Sequence, residues 1–221
     1  MCGRFAFFSL APEALAEFGI AAAAPVELKP RYNIAPTQEA AVIVAEGKGR
    51  CLKLMRWGLV PHWAKDPSLG SRLINARAET LAQKPAFRDA FKMRRCLVPA
   101  DGFYEWKKEG SRKRPFFIRS RSGRPLKMAG LWESWRGGAG GPLETFTIVT
   151  CPANRLLSGL HDRMPVLLEG ENMAAWLEED FTRPEQLLNP SPDDWLVVNP
   201  VSARINSPAN DDPGLLAPAT T

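Results

Sequence analysis

Short apolar runs separated by proline- and glycine-containing segments recur along the chain, and this pattern restricts the fold more than any other feature. The sequence has 20 prolines and 17 glycines, residues that interrupt helices and favour turns. Apolar runs of this length, bounded in this way, are typical of strands in antiparallel sheets. We therefore predict strands at 40–45, 51–57, 95–98, 102–107, 115–119, 126–134, 144–150 and 194–199.

Fewer segments have helical character. A short helix with Pro12 near its start is predicted at 12–20, and an amphipathic stretch covers 84–92. Prolines indicate loops at 31–37 and 60–72. Further short helices are predicted at 152–159, 171–179 and 184–189. Strands with interspersed helices predict an α+β fold, in which one mostly antiparallel β domain carries short peripheral helices.

The composition is that of a globular protein with one core. The chain has 221 residues, of which 45% are hydrophobic and 24% are charged. There is no internal repeat or low-complexity linker that would divide it. We expect one domain over residues 1–206. The segment 207–221, rich in Pro, Ala, Asp and Thr, is predicted to be a disordered tail.

The charge balance favours a polyanionic partner. The formal net charge is +5, and the positive residues cluster at 92–95, 107–108, 112–114 and 119–124. Taken singly, each cluster is also compatible with a solvated face. Four cysteines without a CxxC pair, together with two histidines, predict no metal and no cofactor. Without an apolar membrane span or a signal peptide, we expect a cytoplasmic protein with reduced thiols.

The second residue has unusual chemical potential. If Met1 is removed, Cys2 becomes the first residue and carries a free α-amine beside a free thiol. The amine can condense with an aldehyde, and the thiol can then close onto the imine carbon as a five-membered thiazolidine. Because both nucleophiles belong to one residue, the second attack is intramolecular. Alternatively, Cys2 is simply a small apolar residue of the core.

Three further polar residues are candidates for catalysis. Glu105 follows three residues that include two aromatics and precedes Trp106, so burial would raise its pKa and suit it to acid–base work. Simple strand alternation would instead put Glu105 on a wet face. His161 is flanked by charged residues and could carry protons, although a lone histidine is often structural. Asn75 could orient a carbonyl or an amine, or serve as a turn or capping residue.

Together these segments resemble the SRAP (SOS response-associated peptidase) family of abasic-site processing proteins. The resemblance runs from residue 1 to about 206 and rests on separate motifs in the same order. The motifs are Met1-Cys2-Gly3-Arg4-Phe5, residues 31–36, Trp57-Gly58 followed by Trp63, residues 73–80, residues 100–106, residues 115–118 and residues 161–165.

The resemblance implies an enzyme of DNA repair that binds single-stranded DNA and forms a covalent cross-link with abasic sites. Met1 would be removed by autopeptidase activity, and Cys2 would then form a thiazolidine with the abasic site. AP-lyase activity could accompany the cross-linking. On matching positions, the catalytic residues would be Cys2, Asn75, Glu105 and His161. The residues expected to contact DNA are Arg4, Asn33, Trp63, Arg77 and Arg163. The resemblance is also consistent with a monomer that needs no metal, acts in the SOS response and is nucleoid-associated when bound to DNA.

Two other functions stay open at this point. Cys2, with its own amine as base, could serve an N-terminal-nucleophile cysteine peptidase that acts on other proteins. Turnover of a peptide in trans would favour that function, whereas a single cleavage after Met1 would not. The basic clusters alone could also form a non-enzymatic nucleic-acid module, which a cross-link that survives denaturation would exclude.

Overall fold

Two β-sheets form most of the protein. The computed structural model describes residues 2–20, 27–47, 49–138, 140–178 and 180–218. The strands are β1 Phe5–Phe7, β2 Arg31–Ile34, β3 Glu39–Glu46, β4 Gly49–Trp57, β5 Asn75–Arg77, β6 Arg95–Ala100, β7 Gly102–Glu109, β8 Arg112–Ser120, β9 Leu126–Trp135, β10 Leu143–Pro152, β11 Arg163–Pro165 and β12 Leu196–Pro200. The α-helices are α1 Pro12–Ala16, α2 Arg88–Met93 and α3 Gly170–Leu177, and short 3-10 helices occupy Pro67–Arg72, Ala78–Thr80, Pro184–Leu187, Asp193–Trp195, Ala203–Asn206 and Pro213–Leu216.

The larger sheet closes on itself. Its strands follow the order β11-β10-β4-β3-β6-β9, and β9 also pairs with β10, which completes a barrel. β10 pairs with four strands: it is antiparallel to β9 and β11 and parallel to β4 and β5. It is rich in β-branched and aromatic residues and is buried from Thr145 to Cys151, which suits a strand covered on both faces. The α+β, mostly antiparallel fold is therefore confirmed, with β10 supplying the parallel pairings.

The smaller sheet brings the N-terminal strand against the barrel. Its order is β12-β8-β7-β1-β2, so β1 lies between β7 and β2 although it contains only three residues. Phe5 makes an edge contact with Trp57, at a ring-centroid distance of 5.1 Å, and Trp57 stacks with Phe146 of β10. Trp57 is fully buried, and its Nε1 donates to Ile74 O at 2.8 Å. The core thus fixes the start of β1 and the start of β5 together.

The irregular segment between β4 and β5 is held by a close approach of two glycines. Gly58 has φ of +122°, and a Cβ there would lie 2.6 Å from Gly70 O. This backbone contact fits only glycine and pins both ends of the loop that carries Trp63. The predicted irregular segment 60–72 is present, although it includes the 3-10 helix Pro67–Arg72.

The C-terminal segment differs from the disordered tail that the sequence predicts. Residues 207–218 fold back onto β2 and β7, and residues 219–221 lie outside the described residues. Leu215 is fully buried, and Val201 forms a bridge with Pro218. The Asp211 carboxylate accepts hydrogen bonds from the backbone N–H groups of Tyr32 and Asn33. This specific polar contact, together with one buried leucine, orders a segment whose composition indicates disorder.

The predicted helix at 152–159 was wrong. Pro152 ends β10, and the following residues form consecutive turns around Asn154. Its side-chain Oδ1 accepts from Leu157 N, while its backbone oxygen accepts from Ser158 N. These contacts are those of a helix N-cap, but residues 155–160 continue only as hydrogen-bonded turns. The helices at 12–20, 84–92 and 171–179 are present in shorter form, and a 3-10 helix lies within 184–189.

Candidate active site

Cys2 is held at the junction of the two sheets. β1 pairs with β7 in the register Phe5↔Phe103, and Tyr104 N donates to Arg4 O at 2.9 Å, so the residues before Phe5 run alongside Glu105. The Asn75 side-chain Nδ2 donates to Cys2 O at 2.8 Å. Cys2 is fully buried. The chain's second residue is therefore fixed by β7 on one side and by β5 on the other.

Asn75 has one further polar atom at this junction. It begins β5, where it pairs with Ile148 of β10. Its Oδ1 is buried and accepts no hydrogen bond from any residue that the structure describes. A buried carbonyl oxygen of this kind can accept from an amine or hydroxyl, because leaving it unmatched costs about 1–3 kcal/mol. The Nδ2 of Asn75 thus holds Cys2, while its Oδ1 is left able to accept a hydrogen bond from a ligand.

Glu105 is buried rather than on the wet face that alternation allows. It lies on β7 opposite Phe116 of β8 and is only 5% exposed. Burial raises the pKa of the Glu105 carboxyl above its ordinary value, against a smaller opposite effect of His161. Burial, and then the charge of Glu105, also raise the pKa of the Cys2 thiol, so that thiol stays protonated near neutrality. The carboxyl and the thiol are therefore close enough to interact.

His161 ends the turn region that follows β10. Its Nδ1 lies 3.0 Å from the backbone N of Arg163 and 2.7 Å from Asp162 Oδ1. The backbone N–H can only donate, so we assign Nδ1 as an acceptor and place the proton of the neutral ring on Nε2. The Asp162 carboxylate, whose side chain is 82% exposed, can only accept, so its approach to Nδ1 is an ion pair only when Nδ1 carries a proton. His161 is thus oriented by the backbone of its own turn.

Glu105 and His161 line the same cavity. It has a volume of about 470 Å³ and is lined by Glu105, Trp106, Lys113, His161 and Asn206. This volume is within the range of small-molecule sites and suits a single sugar with its phosphates. Of the four predicted catalytic residues, Glu105 and His161 line the cavity. Cys2 is not part of the lining but interacts with Glu105, and Asn75 anchors Cys2.

Two of the residues expected to contact DNA lie inside the protein. Asn33 is fully buried, and its Nδ2 donates to the backbone oxygens of Ser207 and Asn210. The placement of Asn33 on a DNA-facing surface was therefore wrong, because its polar atoms hold the C-terminal segment. Arg4 Nη1 donates to Asn33 Oδ1 at 2.6 Å and to Ile205 O at 2.8 Å. Arg4 is half-buried and braces the same segment.

Of the other three residues, two are open to solvent and one is engaged within the protein. Arg77 is exposed on β5, two residues beyond Asn75 and so on the same face of that strand. The Arg163 side chain is only 10% exposed, pairs with Glu79 and donates to Thr150 O. Trp63 is 51% exposed and lies beside a different cavity of about 520 Å³ formed by its own loop. Only Arg77 and Trp63 among the five present an open side chain.

Comparison with known proteins identifies the family. The sequence model of the family described as SOS response associated peptidase (SRAP) matches residues 1–208. The chain belongs to the SRAP family. A relative from Bacillus subtilis (strain 168), named "Abasic site processing protein YoqW", is 43% identical over 221 residues, which cover 98% of this chain and 99% of the relative. "Abasic site processing protein HMCES" of Gallus gallus is 36% identical, over 86% of this chain and 66% of its own length.

A solved structure has the same SRAP architecture. A crystal structure of a protein from Bacteroides thetaiotaomicron superimposes with a TM-score of 0.89 at 26% sequence identity, covering 99% of this chain and all of that one. The family resemblance identified from the sequence motifs is thus confirmed along nearly the full length of the chain.

Three cavity residues of this SRAP protein were missed from the sequence. Trp106 Nε1 donates to Asn206 Oδ1 at 2.8 Å, and the Trp106 ring lies 6.0 Å from the Arg4 guanidinium. Lys113 lines the cavity; it lies two residues before Pro115, the register partner of Trp106, and so on the same face of the hairpin as Trp106. A hairpin register could have suggested Lys113, but nothing in the sequence pairs residue 106 with residue 206.

Among the residues that the structure describes, no group of three or more His, Cys, Asp or Glu side chains could hold a metal ion. Every described helix falls short of the length and apolar character that a bilayer crossing requires.

Proposed function

We propose that this protein processes abasic sites in single-stranded DNA by forming a covalent cross-link through Cys2. The names of its relatives support the substrate class. The observation that carries the proposal is the Asn75–Cys2 hydrogen bond, which holds residue 2 beside Glu105, a residue that lines the cavity. The removal of Met1, which lies outside the described residues, belongs to the proposal because it frees the Cys2 amine.

The reaction begins with attack of the Cys2 amine on C1′ of the ring-opened sugar. The resulting carbinolamine loses water to give an iminium, and the neutral Glu105 carboxyl supplies the proton that leaves with the hydroxyl. The Glu105 carboxylate then takes the proton of the thiol as the sulfur–C1′ bond forms. The product is a thiazolidine, one water has been released, and Glu105 has regained its proton.

The raised pKa of Glu105 suits both of these steps. A carboxyl whose pKa moves towards neutrality can donate a proton and then accept one at the same pH. His161, across the same cavity, assists this transfer. The unmatched Oδ1 of Asn75 accepts from the amine or from a sugar hydroxyl, while its Nδ2 keeps Cys2 in reach. The burial of Cys2 fits a single suicide-type adduct better than turnover of exogenous polypeptides.

The thiol protects the DNA in this scheme. An iminium withdraws electrons and promotes β-elimination of the 3′ phosphate, which breaks the strand. A thiazolidine has no such electron sink, so ring closure preserves the strand. Lyase activity is therefore a side reaction that ring closure suppresses.

Recognition of the strand would be independent of sequence, because an abasic site has no base edge to read. Arg77 would contact phosphate directly, and Trp63 would stack on a neighbouring base. Arg163 and Arg4 would act mainly by positioning, since both are engaged within the protein.

A denaturing gel with an abasic-site oligonucleotide tests the proposal. The wild-type chain should give a cross-link that survives denaturation, whereas Cys2→Ala should give none without a reductant. Borohydride should trap an iminium on the Cys2→Ala amine, and that variant should nick the strand more than wild type. Cys51→Ala changes a cysteine outside the site and should behave as wild type. A durable cross-link with Cys2→Ala would refute the mechanism.

A further inference from the structure

The tip of the β7–β8 hairpin, residues 107–114, has an unusual arrangement of charge. We call this segment the β7–β8 arm. Five exposed cations lie within it, namely Lys107, Lys108, Arg112, Lys113 and Arg114. The register puts Lys107 directly opposite Arg114 and Lys108 directly opposite Lys113. The two faces of the ribbon therefore each carry a facing pair of like charges.

Facing like charges weaken a hairpin. Directly opposed cross-strand residues have Cβ atoms about 5 Å apart, and like charges there are destabilising. Glu109 is the single acid of the arm, and its contact with Lys107 at 3.8 Å is between two exposed side chains. Such a pair contributes little. Arg114 also lies over the Phe116 ring at 5.6 Å, and Arg112 faces Glu109 across the hairpin. Neither contact accounts for the two facing pairs of cations, whereas a bound polyanion would.

The arm is continuous with the candidate active site. Lys113 lines the cavity beside Glu105 and Trp106, so the row of cations starts at the cavity wall and runs outward. Two cations outside the arm are instead buried and bonded within the fold. Arg95 is buried and donates to the backbone oxygens at the ends of α2 and α3, and Lys127 is buried against Glu17 and Glu169.

We propose that the β7–β8 arm binds the phosphates of the DNA strand where that strand leaves the cavity. This inference rests on the proposed function for the identity of the strand. Charge complementarity identifies the occupant, because a single strand presents regularly spaced phosphates to a row of cations that begins at the site. The contact reads no base and adds a salt-dependent component to affinity.

Salt titration of binding tests the arm without covalent chemistry. In a Cys2→Ala background, a lesion-free single strand is titrated at 50 and 200 mM NaCl with the arm intact and with Lys107→Gln/Arg114→Gln or Lys108→Gln/Lys113→Gln. Each lost phosphate contact should reduce the slope of log affinity against log salt by about 0.7. The slope for a double variant should thus be about 1.4 shallower than the wild-type slope. Between 50 and 200 mM NaCl, the variant should therefore lose about sevenfold less affinity than the chain with the intact arm.

A charge-matched control separates local contact from net charge. Lys92→Gln/Arg183→Gln removes two exposed cations on the α2–α3 side of the barrel and should leave the slope unchanged. Arm variants should unfold at or above the wild-type midpoint, since repulsion is relieved. If the slope were unchanged in the arm variants, or equally reduced in the control, the proposal that the arm binds phosphates would be wrong. Failure of the wild-type chain to cross-link would instead overturn the proposed function and leave a reduced arm slope as evidence of strand binding.

Discussion

Glu105 illustrates how one residue can lower stability and support chemistry. A carboxyl that is 5% exposed resists ionisation, and burial raises its pKa. The folded chain therefore binds this proton more tightly than the unfolded chain, whose glutamates titrate near pH 4.3. Stability contributed by the neutral carboxyl is present below about pH 4.3 and is lost as pH rises through the folded pKa. The same proton is the one that the proposed mechanism uses.

Glu105→Gln should consequently separate stability from activity. Its thermal midpoint should match that of wild type near pH 4 and exceed it near pH 8, by roughly 2–4 °C for each kcal/mol relieved. The rate of cross-linking should fall by a factor of about 100 or more, because a general acid is lost. Calorimetry and a timed gel assay measure the two effects. Glu27→Gln alters an exposed glutamate outside every helix and strand and should change neither. A midpoint for Glu105→Gln that is lower at pH 8 would contradict the burial argument.

Asn75 offers a second test at the scale of a residue. Asn75→Ala removes the donor that holds Cys2 O, and a net hydrogen bond of about 1–2 kcal/mol corresponds to a factor of roughly 5–30 in an equilibrium. Cross-linking should slow by about that factor yet still reach completion, since the nucleophiles remain. Single-turnover kinetics measure the change. Asn189→Ala deletes a surface amide that donates to Gln186 O and should leave the rate intact; an unchanged rate for Asn75→Ala would exclude the positioning role.

At the scale of elements, the C-terminal segment completes the site. Residues 203–218 pack over β2 and β7 and bring Asn206 to Trp106 at the cavity. Asp211 ties this segment to the backbone of β2 through Tyr32 and Asn33, and the Arg31 side chain also contacts it. The hydrogen bonds of Asn33 and Arg4 reach the same segment. One wall of the cavity thus comes from residues far from the N-terminus in sequence.

Asp211→Ala should loosen this segment. Loss of charge-assisted hydrogen bonds to two backbone N–H groups is worth about 1.5–3 kcal/mol, which corresponds to a midpoint about 3–12 °C lower. Thermal unfolding followed by circular dichroism measures the shift. Asp194→Ala, an exposed aspartate, is the matched control and should unfold like wild type. If Asp211→Ala were equally stable, the Asp211 hydrogen bonds would not be what holds this segment.

At the scale of the whole molecule, long and periodic elements could be predicted and short or distant ones could not. The β3–β4 hairpin follows from two apolar runs around a glycine turn, and its register is observed from Glu39↔Arg56 to Glu46↔Gly49. Strands such as β1 and β5 contain three residues each and are too short to show a period. They exist because Phe5 and Ala76 pack into the core.

The candidate site shows the same division. Cys2, Glu105 and His161 could be named because their residue types have distinctive chemistry in a motif. The burial of Asn33 could not, since it depends on contacts with Ser207 and Asn210 that no local pattern encodes. Polar side chains in a loop motif look alike in sequence whether they meet a ligand or another part of the chain.

Intact mass spectrometry after incubation with a uracil-glycosylase-treated single strand tests the central claim most directly. We expect a species whose mass equals the chain without Met1 plus the oligonucleotide minus one water, with the adduct mapped by digestion to Cys2. A chain with a permanent N-terminal extension should give no such species, because residue 2 then lacks a free amine. An adduct on any other residue, or the same stable adduct from the extended chain, would contradict the account.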